Sequence, residues 1–144
     1  AELARLRRVL GGGFLQSRPC RFAEPVVTDA QEVVDALDRG DTRAAMRLYA
    51  GPLLPTSQSP EIAEMRGDLR ARVRRAALAS KDADALMQFA VGEDGRDDVE
   101  VIQAALLALP PSSPKRIGLT ARLERLHKML AVPLPRLPGT GRAR

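Results

Sequence analysis

Two helical periods joined by almost nothing constrain this chain more than any other feature. In "TDAQEVVDALDRGDTRAAMRLYAG", residues 28–51, Thr28 stands three residues before Gln31, a capping-box pattern. Ala30, Val33, Val34 and Leu37 then share one face at i, i+3, i+4 and i+7. Gly40 stops that period and Asp41 caps the next, which runs to Gly51 with Ala45, Leu48 and Tyr49 on its expected buried side. So short a link leaves the second helix only one course, back along the first, so an antiparallel pair is predicted.

The remaining punctuation repeats this unit. "GPLLPTSQSP" is a loop, because Pro52, Pro55 and Pro60 bar continued helix. Ser59 and Pro60 supply an N-cap and first position for a long helix to about Ser80. Its apolar face is Ile62, Met65, Leu69, Val73 and Ala76, with Arg66, Arg70, Arg72, Arg74 and Arg75 elsewhere. Gly67 inside it costs about 1 kcal/mol relative to Ala, which points to a close helix contact. Asp82 caps a helix carrying Ala83, Leu86, Met87, Ala90 and Val91, and "GEDGRDD" turns into one carrying Val99, Ile102, Leu106 and Leu109. Ser113 and Pro114 open the last helix, with Leu119, Leu123, Leu126 and Leu130 in line. The body thus reads as three helix pairs, 28–50, 59–92 and 97–131, stacked like tetratricopeptide repeats without matching their consensus. The tail "VPLPRLPGTGRAR", residues 132–144, reads as extended and mobile. The expected fold class is mainly α: an N-terminal helix and short β-hairpin, then an antiparallel helical bundle.

Composition narrows what such a bundle does. Aromatics are 3% with no Trp, so the core is aliphatic and little is available for stacking on bases or sugars. One cysteine, Cys20, excludes a disulfide framework and points to a reducing cytoplasm. No apolar run approaches the roughly 18–20 residues that span a bilayer, and the arginine-broken start is no signal peptide. No membrane association is expected.

The charge is unevenly spread. Residues 1–24 carry a local +3 and residues 115–144 a local +7, around a middle of −5. Basic ends fit contact with a polyanion; solvated helix faces are the plainer alternative. Arginine outnumbers lysine 20 to 3, the bias of a GC-rich, actinobacterium-like genome.

Reactive groups do not converge. His127, the one histidine, reads as a surface residue of the last helix, and Cys20 has no identifiable base beside it. Glu93, Asp94, Asp97 and Asp98 lack the alternating ligands of a calcium loop and read as helix capping. The glycines at 11–13 precede a strand-like run, so they form no phosphate loop. No catalytic residue, metal or cofactor is expected.

Two stretches carry a functional reading. In "AMRLYAGPLLP", Tyr49, Leu53 and Leu54 surround a Gly-Pro turn and form either an exposed partner-docking surface or a pin holding the loop to the core. In "LARLRRVLGGGFLQSRPCRF", Leu3, Leu6 and Leu10 make a helical stripe flanked by Arg5, Arg7 and Arg8. Three glycines stop it, and two strand-like runs follow. A helix already under way at Ala1 suggests a fragment of a longer protein.

This second stretch resembles the end of an OmpR-like winged helix: the last turns of the recognition helix, a turn, then the two wing strands. Leu6-Arg7-Arg8-Val9-Leu10-Gly11 matches the first part and Arg18 to Phe22 the second, with Cys20 where a Tyr is usual. Tyr49-Ala50-Gly51-Pro52-Leu53-Leu54-Pro55 resembles a run in the bacterial transcriptional activator domain that follows such winged helices in Streptomyces antibiotic regulatory proteins. With "RRAALAS" and "GRDD", the chain is similar to the C-terminal region of actinobacterial regulators carrying an upstream GAF sensor domain.

The resemblance implies three segments: a winged-helix remnant at 1–27, an activator-like helical domain at 28–131, and the basic tail at 132–144. It implies double-stranded DNA as partner, with Arg5, Arg7, Arg8, Arg18 and Arg21 holding phosphates, about three of them in practice. Without the base-reading helices, the chain alone is expected to bind DNA weakly. The leftover stripe Leu3, Leu6 and Leu10 is expected to pack on the helical domain or on another copy, making a homodimer. The alternative is a helical adaptor that binds protein alone.

Overall fold

The computed structural model describes residues 2–17 and 20–130, and among these it holds seven helices and one β-hairpin. The mainly helical class with a small antiparallel hairpin is as the sequence implies. The 132–144 tail lies outside the described residues, as does Arg18.

Helix α1 (Glu2–Leu10) leads through the glycine turn to strands β1 (Leu15–Ser17) and β2 (Cys20–Phe22). The strands pair antiparallel with Leu15 opposite Phe22 and Gln16 opposite Arg21. Next come α2 (Asp29–Asp38), α3 (Thr42–Leu48), α4 (Pro60–Ser80), α5 (Ala83–Val91), α6 (Val99–Ala108) and α7 (Lys115–Leu130).

Short polar side chains set most of these boundaries. The Thr28 hydroxyl accepts from the Gln31 N–H at 3.1 Å, while the Gln31 side chain reaches forward to Asp35 rather than back to the cap. Asp41, Asp82 and Asp98 accept from the first-turn N–H groups of α3, α5 and α6. Each cap satisfies donors that the helix itself leaves open. Ser59 is the exception: it precedes Pro60, makes no capping bond, and donates instead to Glu61 at 2.5 Å.

Helix α2 packs on α3, α5 on α6, and α6 on α7; α3 and α4 join the pairs by touching α5, and α4 also meets α2 and α6. One continuous core results, with Val33, Met46, Val73, Leu86, Val101 and Ile102 its largest fully buried members. Ala36, Ala45, Ala77, Ala90 and Ala105 are completely buried among them, so helix backbones approach closely in a core with a single buried aromatic, Phe89.

Some expected core residues lie elsewhere. Helix α4, 21 residues and about 31 Å long, buries the row Leu69, Val73 and Ala77, while Met65 is 55% exposed at an open groove that it lines with Ala30 and Val34 of α2. Leu48 ends the seven-residue α3 and is partly exposed; Met46 is buried in its place because α3 packs against three neighbours. Leu130, at the last turn of α7, is exposed. Gly67 answers no close contact, since a Cβ there would meet nothing within 4 Å. The close glycine is Gly95, buried against Phe89.

Candidate functional site

Two regions carry the residues singled out above. In the first, α1 ends with Arg7 and Arg8 in its last turn, where cations complement the negative end of the helix dipole. The Arg7 guanidinium turns onto the hairpin: Nε and Nη2 both donate to the Leu15 carbonyl oxygen at 3.2 Å. Leu15 itself is buried, and Phe14 meets Phe22 edge-on with ring centres 6.4 Å apart. Arg21 donates across the strand pair to Gln16 Oε1 at 2.6 Å. Arg5, Arg8 and Arg21 are exposed; Arg7 is half-buried and braces the helix end against the hairpin. The apolar side chains Leu6, Val9 and Leu10 are exposed as well. Within the described residues, α1 makes no extensive packing against α2–α7.

The second region is the loop between α3 and α4. Tyr49 stacks on Phe89, ring centres 6.4 Å apart and 18° from parallel, and its hydroxyl donates to the Asp94 carboxylate. Burial, then that bond and the Asp94 charge, push the phenol well above its ordinary pKa. Arg70 donates to the Asp94 carbonyl at 3.0 Å and pairs with its carboxylate at 3.4 Å. Arg66 grips the loop itself, donating to the carbonyls of Leu53 (2.6 Å), Leu54 (2.6 Å) and Ser57 (3.2 Å). Leu53 packs against the core, whereas Leu54 is 57% exposed in the left-handed region, φ 41°. That conformation is strained for a residue with a Cβ, and the Arg66 fork holds it. Of the three residues read as a docking surface, Tyr49 and Leu53 thus turn toward the core and Leu54 faces out.

Beside this loop lies an open groove of about 270 Å³. Ala30, Val33, Leu48, Leu53, Leu54 and Leu69 give it an apolar lining, and Asp29 and Glu93 bring carboxylates to it. Its volume falls below the range of about 300–1,000 Å³ usual for small-molecule pockets, so it suits one or two side chains of a partner.

The arginines of α4 are mostly partnered. Arg72 pairs with Asp38 at 2.5 Å, and Arg74 holds Asp98 and Glu100, each at 2.5 Å. Burial raises the Asp98 pKa, but the Arg74 guanidinium and the Val101 N–H outweigh it and hold the carboxyl below its ordinary value. The Arg74 pKa is raised in turn by its bonds to Asp98 and Glu100. Arg43 of α3 binds Asp82, the cap of α5, at 2.5 Å. The acidic turn therefore caps α6 and anchors arginines; no group of three His, Cys, Asp or Glu suited to a metal occurs among the described residues. A legible signal existed: Arg70 and Arg74 are four apart, as are Asp94 and Asp98. His127 is exposed on α7, and no helix among the described residues is long and apolar enough to cross a membrane.

Residues 82–132, α5 through α7, match the family described as YTH3-like protein, third C-terminal helical domain. A protein of Rhodococcus erythropolis described as an uncharacterized 47.3 kDa protein in the thcA 5' region is 43% identical over 132 residues. The match covers 92% of this chain but spans only 30% of that relative's length. No solved structure matches the chain.

Proposed function

We propose that this chain is the C-terminal portion of a DNA-binding transcription regulator and acts by binding, without catalysis. The observation that carries this reading is the hydrogen-bonded join between α1 and the hairpin. Arg7 fixes the helix end to β1, and Arg5, Arg8 and Arg21 stand exposed around that join. Guanidinium groups stay charged and donate in a fork that suits phosphate oxygens, and such contacts set register without reading sequence. Base recognition belongs to winged-helix elements preceding α1, and an upstream GAF domain is the proposed sensor. Segments 1–27 and 28–131 are then DNA-contact and partner-contact modules of a cytoplasmic protein.

A second reading, a helical adaptor without DNA contact, is favoured by the groove beside Leu54. Fluorescence anisotropy of a labelled duplex, with this chain and with the full-length protein at two salt concentrations, separates the two. Three phosphate contacts contribute about −2.7 to the log–log salt slope. Arg8→Ala together with Arg21→Ala should remove most of it. Promoter preference in the full-length protein, with weak salt-labile binding by this chain, supports the regulator. No binding by either chain refutes it.

A further inference from the structure

We propose that the groove beside Leu54 is the docking site of this chain's own C-terminal segment, residues 131–144, with Leu137 on its floor and Arg136 at its acidic rim. This goes beyond the regulator reading and does not depend on DNA binding.

The groove continues into a second hollow of about 220 Å³ between α2 and α4, and the two share Ala30, Leu53 and Leu69, so they form one apolar trough. Asp29 and Glu93 stand along its first part and Asp68 along its second. All three are exposed, and none enters an ion pair among the described residues. The one cation that lines the trough, Arg72, is already paired with Asp38 at 2.5 Å. The trough therefore suits an occupant that is apolar on one side and positively charged beside it.

The path of the chain brings such a segment to it. Arg116 donates to the carbonyls of Leu106 and Leu109, which fastens the start of α7 to the end of α6. Helix α7 then runs back along α6, and Arg122 meets the Ala90 carbonyl in the last turn of α5 at 2.9 Å. Leu130 thus lies at the same end of the bundle as the 92–98 turn, which supplies Glu93. Two interhelical steps of about 8–10 Å, past α5 and α4, separate α7 from the trough. Pro133, Pro135 and Pro138 favour polyproline II, whose rise of about 3.1 Å per residue carries Leu137 about 22 Å beyond Leu130. Neighbouring residues of that helix point a third of a turn apart, so Leu137 can face the floor while Arg136 reaches the rim. The segment carries Arg136, Arg142 and Arg144 and no acid, matching the three unpaired carboxylates. The nearer surface of α7 offers Lys115, Arg116, Arg122, Arg125 and Lys128 against Glu124 alone, and repels it. Prolines lack an N–H, so little backbone polarity is left unsatisfied against an apolar floor.

Paramagnetic relaxation in the whole chain, without DNA, tests the proposal. A nitroxide is attached at Thr140→Cys, with Cys20→Ser removing the native thiol, and amide resonances are compared with the label oxidised and reduced. Amides of Ala30, Leu53 and Glu93 should broaden, and those of Lys81 and Ile117 at the opposite end of the bundle should not. Leu137→Asp, outside the helical core, should cut the docked population about tenfold. Arg136→Glu and Glu93→Arg should each cut it about threefold, and the two combined should restore it. Absence of selective broadening at the trough overturns the proposal, as does broadening indifferent to Leu137→Asp. So does equal broadening when isotope-labelled chains without nitroxide are mixed with nitroxide-bearing ones, since a second copy would then be the occupant. Because no nucleic acid is present, every result leaves the DNA reading to its own titration.

Discussion

Replacing glycine with alanine should have opposite effects at two kinds of position in this molecule. At Gly95, an added Cβ would lie 2.1 Å from the Phe89 carbonyl oxygen, 2.7 Å from its carbonyl carbon and 2.7 Å from ring atom Cδ1. Real Cβ atoms essentially never approach within 3.0 Å, so something must move by nearly an ångström. The obstacles are the last turn of α5 and a buried ring, and neither can swing aside. Overpacking of this kind costs about 1–3 kcal/mol, and rigid backbone puts it at the upper end. The displaced turn also carries Asp98, whose cap on α6 contributes about 1 kcal/mol more.

The expected destabilisation of Gly95→Ala is therefore about 3–4 kcal/mol, which lowers Tm by roughly 12 °C for a domain of this size. At Gly67 and Gly118, both inside helices, a Cβ meets nothing within 4 Å. There alanine removes a propensity penalty of about 1 kcal/mol and should raise Tm by up to roughly 4 °C. Thermal melts by circular dichroism and urea titrations measure all three variants. With one tyrosine and no tryptophan, intrinsic fluorescence reports on Tyr49, which stacks on the same Phe89. A Gly95→Ala protein within about 0.5 kcal/mol of wild type, the ordinary range for surface changes, would refute the packing argument. So would equal losses at Gly67 and Gly95.

Tyr49→Phe keeps the stacking and loses the bond to Asp94, so urea denaturation should show a loss of about 1 kcal/mol. The native phenol, raised by burial and by Asp94, should show its phenolate absorbance at higher pH than the same chain in urea. Stability from this group is complete below the unfolded value of about 10 and is lost as pH rises through the folded one. Asp82, lowered by Arg43 and backbone N–H groups, and Asp98, lowered by Arg74 against its burial, act at the other end of the scale. Their contribution is present above the unfolded value of about 3.9 and is lost as pH falls through the folded values. The urea midpoint should hold from pH 7 to about 5 and fall below about 4, with a smaller fall in Asp98→Asn. Arg66→Met removes the donor shared by three loop carbonyls and should cost about 1–2 kcal/mol, with faster amide exchange confined to the loop after α3.

Helix order and most boundaries were settled by signals that act within a few residues. Thr28, Asp41, Asp82 and Asp98 cap the N–H groups two or three positions ahead, and Gly40 ends α2 with φ 74°, so no distant contact is needed to place those ends. The antiparallel α2–α3 pair followed from the shortness of its link. Which face of each helix is buried was less legible, because it depends on how closely neighbours approach: Met65 is periodic with Leu69, yet it is 55% exposed beside an open groove against α2. The groove and its surroundings were decided only by folding. Arg66 meets Leu53 across 13 positions, Arg74 meets Asp98 across 24, and Tyr49 meets Asp94 across 45. The left-handed turn at Leu54 arises the same way, since the Arg66 side chain that holds it comes from α4. Composition and periodicity name the residues able to make such contacts, but packing decides which arginine finds which carboxylate.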